Sequence, residues 1–186
     1  MTAFRFALCN EVVAQLPFER QCAFAAATGY DGLEIAPFTL SDDPASVTAA
    51  QRAGYRRMAE REGVRITGVH WLLNVPAGLS LTSDDPETHR RTGEHMVAMV
   101  DLCADLGGKV VVHGSPNQRQ LAHAASPERA RENALSLLRK AGERAGQAGI
   151  TYCIEPLSPA MTDVVTNVGE ALAIVDSIGL PSFCTM

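Results

Sequence analysis

The sequence predicts an α/β fold in which parallel strands alternate with helices and close into a barrel, and three observations carry that prediction. Short apolar or β-branched runs begin at Phe4, Leu33, Ile66, Val110, Tyr152 and Phe183, roughly 30 to 45 residues apart, the size of successive strand–helix units. The stretches between them are helical in character, and nearly every one ends in a glycine shortly before the next strand, as tight helix-to-strand loops require. No G-x-G-x-x-G follows the first strand, where the chain reads Cys9-Asn10-Glu11-Val12-Val13, so an open dinucleotide-binding sheet is disfavoured. Repeated strand–helix units imply right-handed crossovers and a parallel sheet, and a barrel is the better closure.

The elements follow in order. Phe4 to Leu8 reads as a first strand ending near Asn10, and Pro17 to Thr28 as an Ala-rich helix with proline in its first turn and Gly29 past its end. Gly32 to Ala36 is a second strand stopped by Pro37, Ser46 to Glu62 a second helix, and Val64 to His70 a third strand that Trp71-Leu72-Leu73 extends. A long connection, 74–85, carries turn and cap signals and is expected to shape specificity. Pro86 to Leu106 is a helix ended by Gly107-Gly108, and Lys109 to His113 a strand with an all-valine centre. Ser126-Pro127-Glu128 caps and opens a helix closing near Gly149. Thr151-Tyr152-Cys153-Ile154-Glu155-Pro156 is the fifth strand, Asn167 to Ile178 a helix, and Ser182 to Met186 begins a sixth strand.

Bulk properties narrow the function classes. At 186 residues and 46% hydrophobic, the chain can bury one core, so 1–186 is read as a single domain. A net charge of −5 and a pI near 5.5 argue against a nucleic-acid surface. No signal peptide and no membrane-length apolar run is visible, so the sequence reads as a cytoplasmic protein without a membrane partner. Five cysteines without C-x-x-C spacing do not make a disulfide framework, and Cys9, Cys103, Cys153 and Cys184 read as small buried hydrophobes.

The fifth strand organises the rest. Pro156 cannot donate to a ladder, so the strand stops there and leaves Glu155 at its carboxyl end, where loops gather and ligands bind in α/β folds. The other strands end alike: Asn10, Glu34, His70 and His113 each follow an apolar run. A single histidine so placed is more often a hydrogen-bonded core residue than a ligand. Five polar tips on five strands suit a site assembled from several strand ends. Two histidines and a glutamate on neighbouring strands have the chemistry to hold a divalent metal, a Lewis acid beside which a carboxylate could remove a proton next to a carbonyl. His89, His95 and His123 fall on helices or loops and read as solvated or packing residues.

The segments Gly32-Leu33-Glu34-Ile35, Gly68-Val69-His70, Val112-His113-Gly114 and above all Ile154-Glu155-Pro156-Leu157-Ser158 resemble the sugar phosphate isomerase/epimerase family, with its xylose isomerase-like TIM (β/α)8 barrel. The resemblance spans the whole chain. It implies a carbohydrate substrate, a divalent metal (Mn, Mg, Co or Zn) and, in many members, a homo-oligomer. It implies that Glu155 binds the metal and serves as one of two acid/base carboxylates, that His70 and His113 line the substrate pocket, that Glu34 is a pocket residue or steadies a ligand, and that Trp71 supplies an apolar wall. Asn10 joins this set as a strand-tip candidate.

In the family the remaining metal ligands and the second carboxylate come from strands six to eight, whereas this sequence stops inside the sixth and a full barrel takes roughly 250 residues. The expectation is therefore five strand–helix units and a sixth strand, inactive alone, within a parent isomerase or epimerase that works through an enediolate. Two other readings compete. An endonuclease IV-like, zinc-dependent DNA-repair enzyme would also place His, His and Glu on strands three to five, but the acidic charge and Arg119 as the lone cation of its loop weigh against it. A non-catalytic barrel fragment would have no need of Glu155, His70 and His113 on one rim.

Overall fold

Among the described residues, six short strands form one parallel sheet in sequence order: β1 (Ala7–Cys9), β2 (Gly32–Ile35), β3 (Arg65–His70), β4 (Val110–His113), β5 (Thr151–Ile154) and β6 (Phe183–Thr185). The structure, a computed structural model, describes residues 4–186. Five helices connect the strands: α1 (Phe18–Ala27), α2 (Ala49–Arg61), α3 (Pro86–Leu106), α4 (Pro127–Ala148) and α5 (Val168–Ile178). This is the expected strand–helix alternation of a TIM-barrel-type fold. The first strand starts three residues later and ends one residue later than the sequence suggested, and α2 starts only after a short 3-10 turn at Pro44–Ser46.

Caps set the helix ends. Thr48 and Gln51 form a reciprocal capping box on α2, while the side chains of Asp85, Ser126 and Asn167 accept the orphan amides that open α3, α4 and α5. Gly107 ends α3 with φ 87°, in the left-handed region where a side chain would be strained.

The core lies between the sheet's outer face and the helices. Leu33, Ile35, Val69, Val111, Tyr152 and Ile154 supply the strand side. Met96, Met99, Leu102 and Cys103 of α3 and Leu138, Ala141 and Ala145 of α4 close over them. Because side chains alternate along a strand, the intervening positions face the other way. There Glu34, Gly68, Val110, Val112 and Cys153 line an open cavity of about 1300 Å³. From Glu34 that cavity runs toward the amino ends of the strands, past Asp31, Arg65 and Lys109.

Gly68 lets two strands approach. A Cβ there would overlap the carbonyl oxygen of Val110 on the neighbouring strand, and a backbone atom cannot swing aside as a side chain tip would. Gly68→Ala is expected to destabilise the fold by about 3 kcal/mol through overpacking at β3–β4. Urea denaturation checks this, and a midpoint matching the parent chain would contradict it.

One extension fails. β3 stops at His70 rather than continuing through Leu73, because Trp71 turns the chain with φ 55°. Leu72 and Leu73 then enter the core at 1% and 0% exposure. Apolar character drew all three residues into the strand, whereas burial in a turn satisfies the two leucines equally well.

Candidate functional site

The carboxyl ends of β1, β2 and β3 converge on His70. Its Nε2 lies 3.0 Å from Oε2 of Glu11 and its Nδ1 lies 3.3 Å from Oε1 of Glu34. Neither contact has the alignment of a hydrogen bond, so both ring nitrogens and Oε2 of Glu11 are buried without a hydrogen-bonded partner. Burial pulls the His70 pKa down, but Glu34 and Glu11 outweigh it and the net shift is upward. Cys9 completes the group: one donor atom from each of Cys9, Glu34 and His70 lies within 4.8 Å of the others. Burial first, then Glu34, Glu11 and Glu155, push the Cys9 thiol up to about 11. Its half-exposed position among acids departs from the buried hydrophobe that the sequence suggested.

Glu155 stands at the end of β5, as Pro156 requires, and is half-buried. Its backbone is pinned on both sides. Its N–H donates to the carbonyl of His113 at 3.2 Å, and its own carbonyl accepts from Nη1 of Arg119 at 2.9 Å. Its carboxylate occupies the space that Gly114 leaves open, where an added Cβ would come within 2.7 Å of Oε2. Arg119, from the loop after β4, is fully buried, with Nε and Nη2 unpartnered. Burial lowers its pKa to about 10, against the opposing pull of Glu155 and Tyr152.

Two sequence candidates sit elsewhere. Asn10 is fully buried, and its amide nitrogen donates to Oε1 of Gln21 at 3.0 Å and Oγ1 of Thr39 at 2.7 Å while its oxygen accepts from Ala36 N–H at 2.7 Å. Both amide protons are spent on the protein, so Asn10 braces the end of β1 against the end of β2 instead of facing a pocket. His113 is likewise fully buried, on the helix-facing side of β4, with Nδ1 2.6 Å from the Tyr152 hydroxyl. Burial, reinforced by the charge of Arg119, pulls its pKa down to about 3. It is held as a neutral core imidazole and stands apart from the row formed by Glu34, His70 and Glu155. Glu34 and Trp71 remain at the rim, Trp71 being 37% exposed. The three other histidines stay outside the site. Among them, His95 packs with Nε2 3.0 Å from the Leu72 carbonyl and His123 pairs with Ser80 at 2.8 Å.

The sequence missed Glu11, Cys9 and Arg119. Glu11 lies two residues past the end of β1 and enters through a 3-10 turn at Asn10–Val13, a geometry that strand counting does not anticipate. Arg119 carried a signal, being the lone cation in a loop beside a strand tip.

Residues 22–185 match the model of a family described as the xylose isomerase-like TIM barrel. Among curated proteins, a probable ketose 3-epimerase of Synechocystis sp. is 22% identical over 157 residues, covering 82% of this chain and 50% of that protein. The chain thus spans about half the length of the curated relative it matches. Among solved structures, D-psicose 3-epimerase in the presence of D-fructose superposes with a TM-score of 0.81 at 16% identity, over 98% of this chain and 63% of that one. L-ribulose 3-epimerase gives 0.79 at 22% identity, over 98% and 60%. These superpositions establish the fold.

Proposed function

The chain belongs to the xylose isomerase-like TIM barrel family, and from that premise we propose that the protein acts as a divalent-metal-dependent isomerase or epimerase of a keto sugar or small hydroxy-keto acid. The observation that carries the reading is Glu155, a half-exposed carboxylate at a strand's carboxyl end, its backbone clamped from both sides. Similarity to the Synechocystis ketose 3-epimerase and to the psicose and ribulose 3-epimerase structures favours epimerisation of a ketose over other members' reactions.

Glu155 also suits the family's metal, because it is a carboxylate at a strand's carboxyl end and Gly114 admits its Oε2 where any side chain would collide. A divalent ion held there would polarise the carbonyl next to the carbon that gives up its proton. The work of the chain itself is positional and acid/base. Glu155 takes the proton from that carbon, and its fixed main chain limits the carboxylate to side-chain rotation. Trp71 offers a carbon-rich face at the rim against which the sugar's C–H groups can lie. Return of the proton to the opposite face gives the epimer, and return to the adjacent carbon gives the isomer. By the family resemblance, the carboxylate for that second face would come from strand eight of a complete family barrel.

The test is deuterium exchange. A ketohexose incubated with Mn²⁺ in D₂O should gain deuterium at the carbon beside its carbonyl when all eight strands are present, followed by proton NMR. The 186 residues alone should produce neither exchange nor product. Turnover by the 186-residue chain would refute the requirement for a second carboxylate, and absence of exchange in the eight-stranded protein across a panel of ketoses would refute the assignment.

A further inference from the structure

We propose that Cys9, Glu34 and His70 form a zinc site of their own at the carboxyl ends of β1, β2 and β3, with Glu11 as the carboxylate that orients the histidine. The donor set is one thiol sulfur, one carboxylate oxygen and one imidazole nitrogen, all within 4.8 Å of one another. Zinc binds such ligands at about 2.0–2.3 Å, which places tetrahedral donors roughly 3.5 Å apart; Nδ1 of His70 and Oε1 of Glu34 already lie 3.3 Å apart, and no pair of donors exceeds 4.8 Å. Three protein ligands leave a fourth position for water or another small donor. Sulfur and nitrogen together select zinc over magnesium or manganese, which prefer all-oxygen sites.

The unpartnered atoms point the same way. His70 is 7% exposed, and both of its ring nitrogens lack a hydrogen bond. A buried imidazole with two idle nitrogens is costly unless something else engages them. Nδ1 lies beside Glu34, 3.3 Å from Oε1, where one ion would bridge the two. Nε2 lies 3.0 Å from Oε2 of Glu11, close enough to donate its N–H there after a small side-chain rotation once Nδ1 is committed. That arrangement, a ligating histidine whose other nitrogen addresses a carboxylate, fixes the ring's orientation and tautomer in zinc proteins. The ion's two charges would offset the Cys9 thiolate and the Glu34 carboxylate, leaving Glu11 to face the imidazole.

This inference does not rest on the reading of Glu155. Every ligand lies in the first three strand–helix units, so β5 supplies none of them. The experiment uses the 186-residue chain with Zn²⁺, and with Co²⁺ as a spectroscopic stand-in. The expected result is about one equivalent of cobalt bound, with a near-ultraviolet sulfur-to-cobalt charge-transfer band that Cys9→Ser abolishes. Glu34→Gln and His70→Gln should weaken zinc at least tenfold in a chelator competition, and Glu11→Gln by about 10- to 100-fold. Glu155→Gln should leave the sulfur band in place, because the band reports the Cys9 sulfur alone. If Cys9→Ser fails to fold by circular dichroism, alkylation of the parent chain decides: zinc must slow the modification of Cys9 by iodoacetamide at least tenfold, localised by peptide mass. Cobalt bound without the sulfur band, a band that survives in Cys9→Ser, loss of the band in Glu155→Gln, or unprotected Cys9 would each overturn the proposal.

Discussion

Glu155→Gln is expected to lower turnover of the eight-stranded enzyme by about 10²- to 10⁴-fold, the usual contribution of a positioned acid/base group. The amide is nearly isosteric, so the space beside Gly114 stays filled as before. Both main-chain contacts, to the His113 carbonyl and from Arg119, are untouched because they use backbone atoms of residue 155. What disappears is the ability to accept a proton and the negative charge that would hold a divalent ion. The loss should therefore appear in kcat, with an unchanged melting temperature. A variant that kept more than about a tenth of the parent's activity would move the base elsewhere. A collapsed melting temperature would mean that the carboxylate serves the fold first.

Stability should pass through a maximum near the ordinary histidine pKa, about 6.5, because the two buried strand-end histidines pull in opposite directions. His113 has a folded pKa of about 3, set by burial and then by Arg119. Between about 6.5 and that value, the unfolded chain binds a proton that the folded chain refuses. Stability then falls as the pH drops, by up to about 1.4 kcal/mol per pH unit. His70 has the reverse sign. Burial lowers its pKa, but Glu34 and Glu11 more than offset that, so its folded value is raised. Its contribution is complete below the unfolded pKa and is lost as the pH rises through the folded one. Urea unfolding from pH 4 to pH 8 measures both limbs. His113→Gln should flatten the acid limb and His70→Gln the alkaline one. An acid limb of undiminished slope in His113→Gln would assign the loss to other groups.

Much of this fold was legible because its signals are local. Proline at Pro86 and Pro127, side-chain caps at Asp85, Ser126 and Asn167, and glycine at Gly107, Gly149 and Gly179 mark helix ends without reference to the rest of the chain. Glu155 was legible for the same reason, since Pro156 announces where its strand stops. The facing of a polar tip was harder to read. His113 and His70 both end apolar runs, yet one side chain enters the core beside Tyr152 and the other faces Glu34. That choice depends on strand phase, which one residue of slippage reverses. Asn10 was misread because its three partners, Gln21, Thr39 and Ala36, become neighbours only after the chain folds back. Glu11 was out of reach because it enters from a connection rather than a strand tip, and Arg119, also on a connection, was marked only by being the lone cation of its loop.

Strand order has a consequence for how the chain comes into being. Each strand after the first pairs with the one made immediately before it, so no segment waits for a later one to be inserted between earlier neighbours. On a ribosome, every unit that emerges finds its template already in place and adds to a growing edge. The loop closed at each step is a single strand–helix unit, so the entropic cost of closure stays nearly constant as the sheet widens. Assembly of this kind proceeds in the direction of synthesis, and its first completed pairings join the strands that carry Cys9, Glu34 and His70.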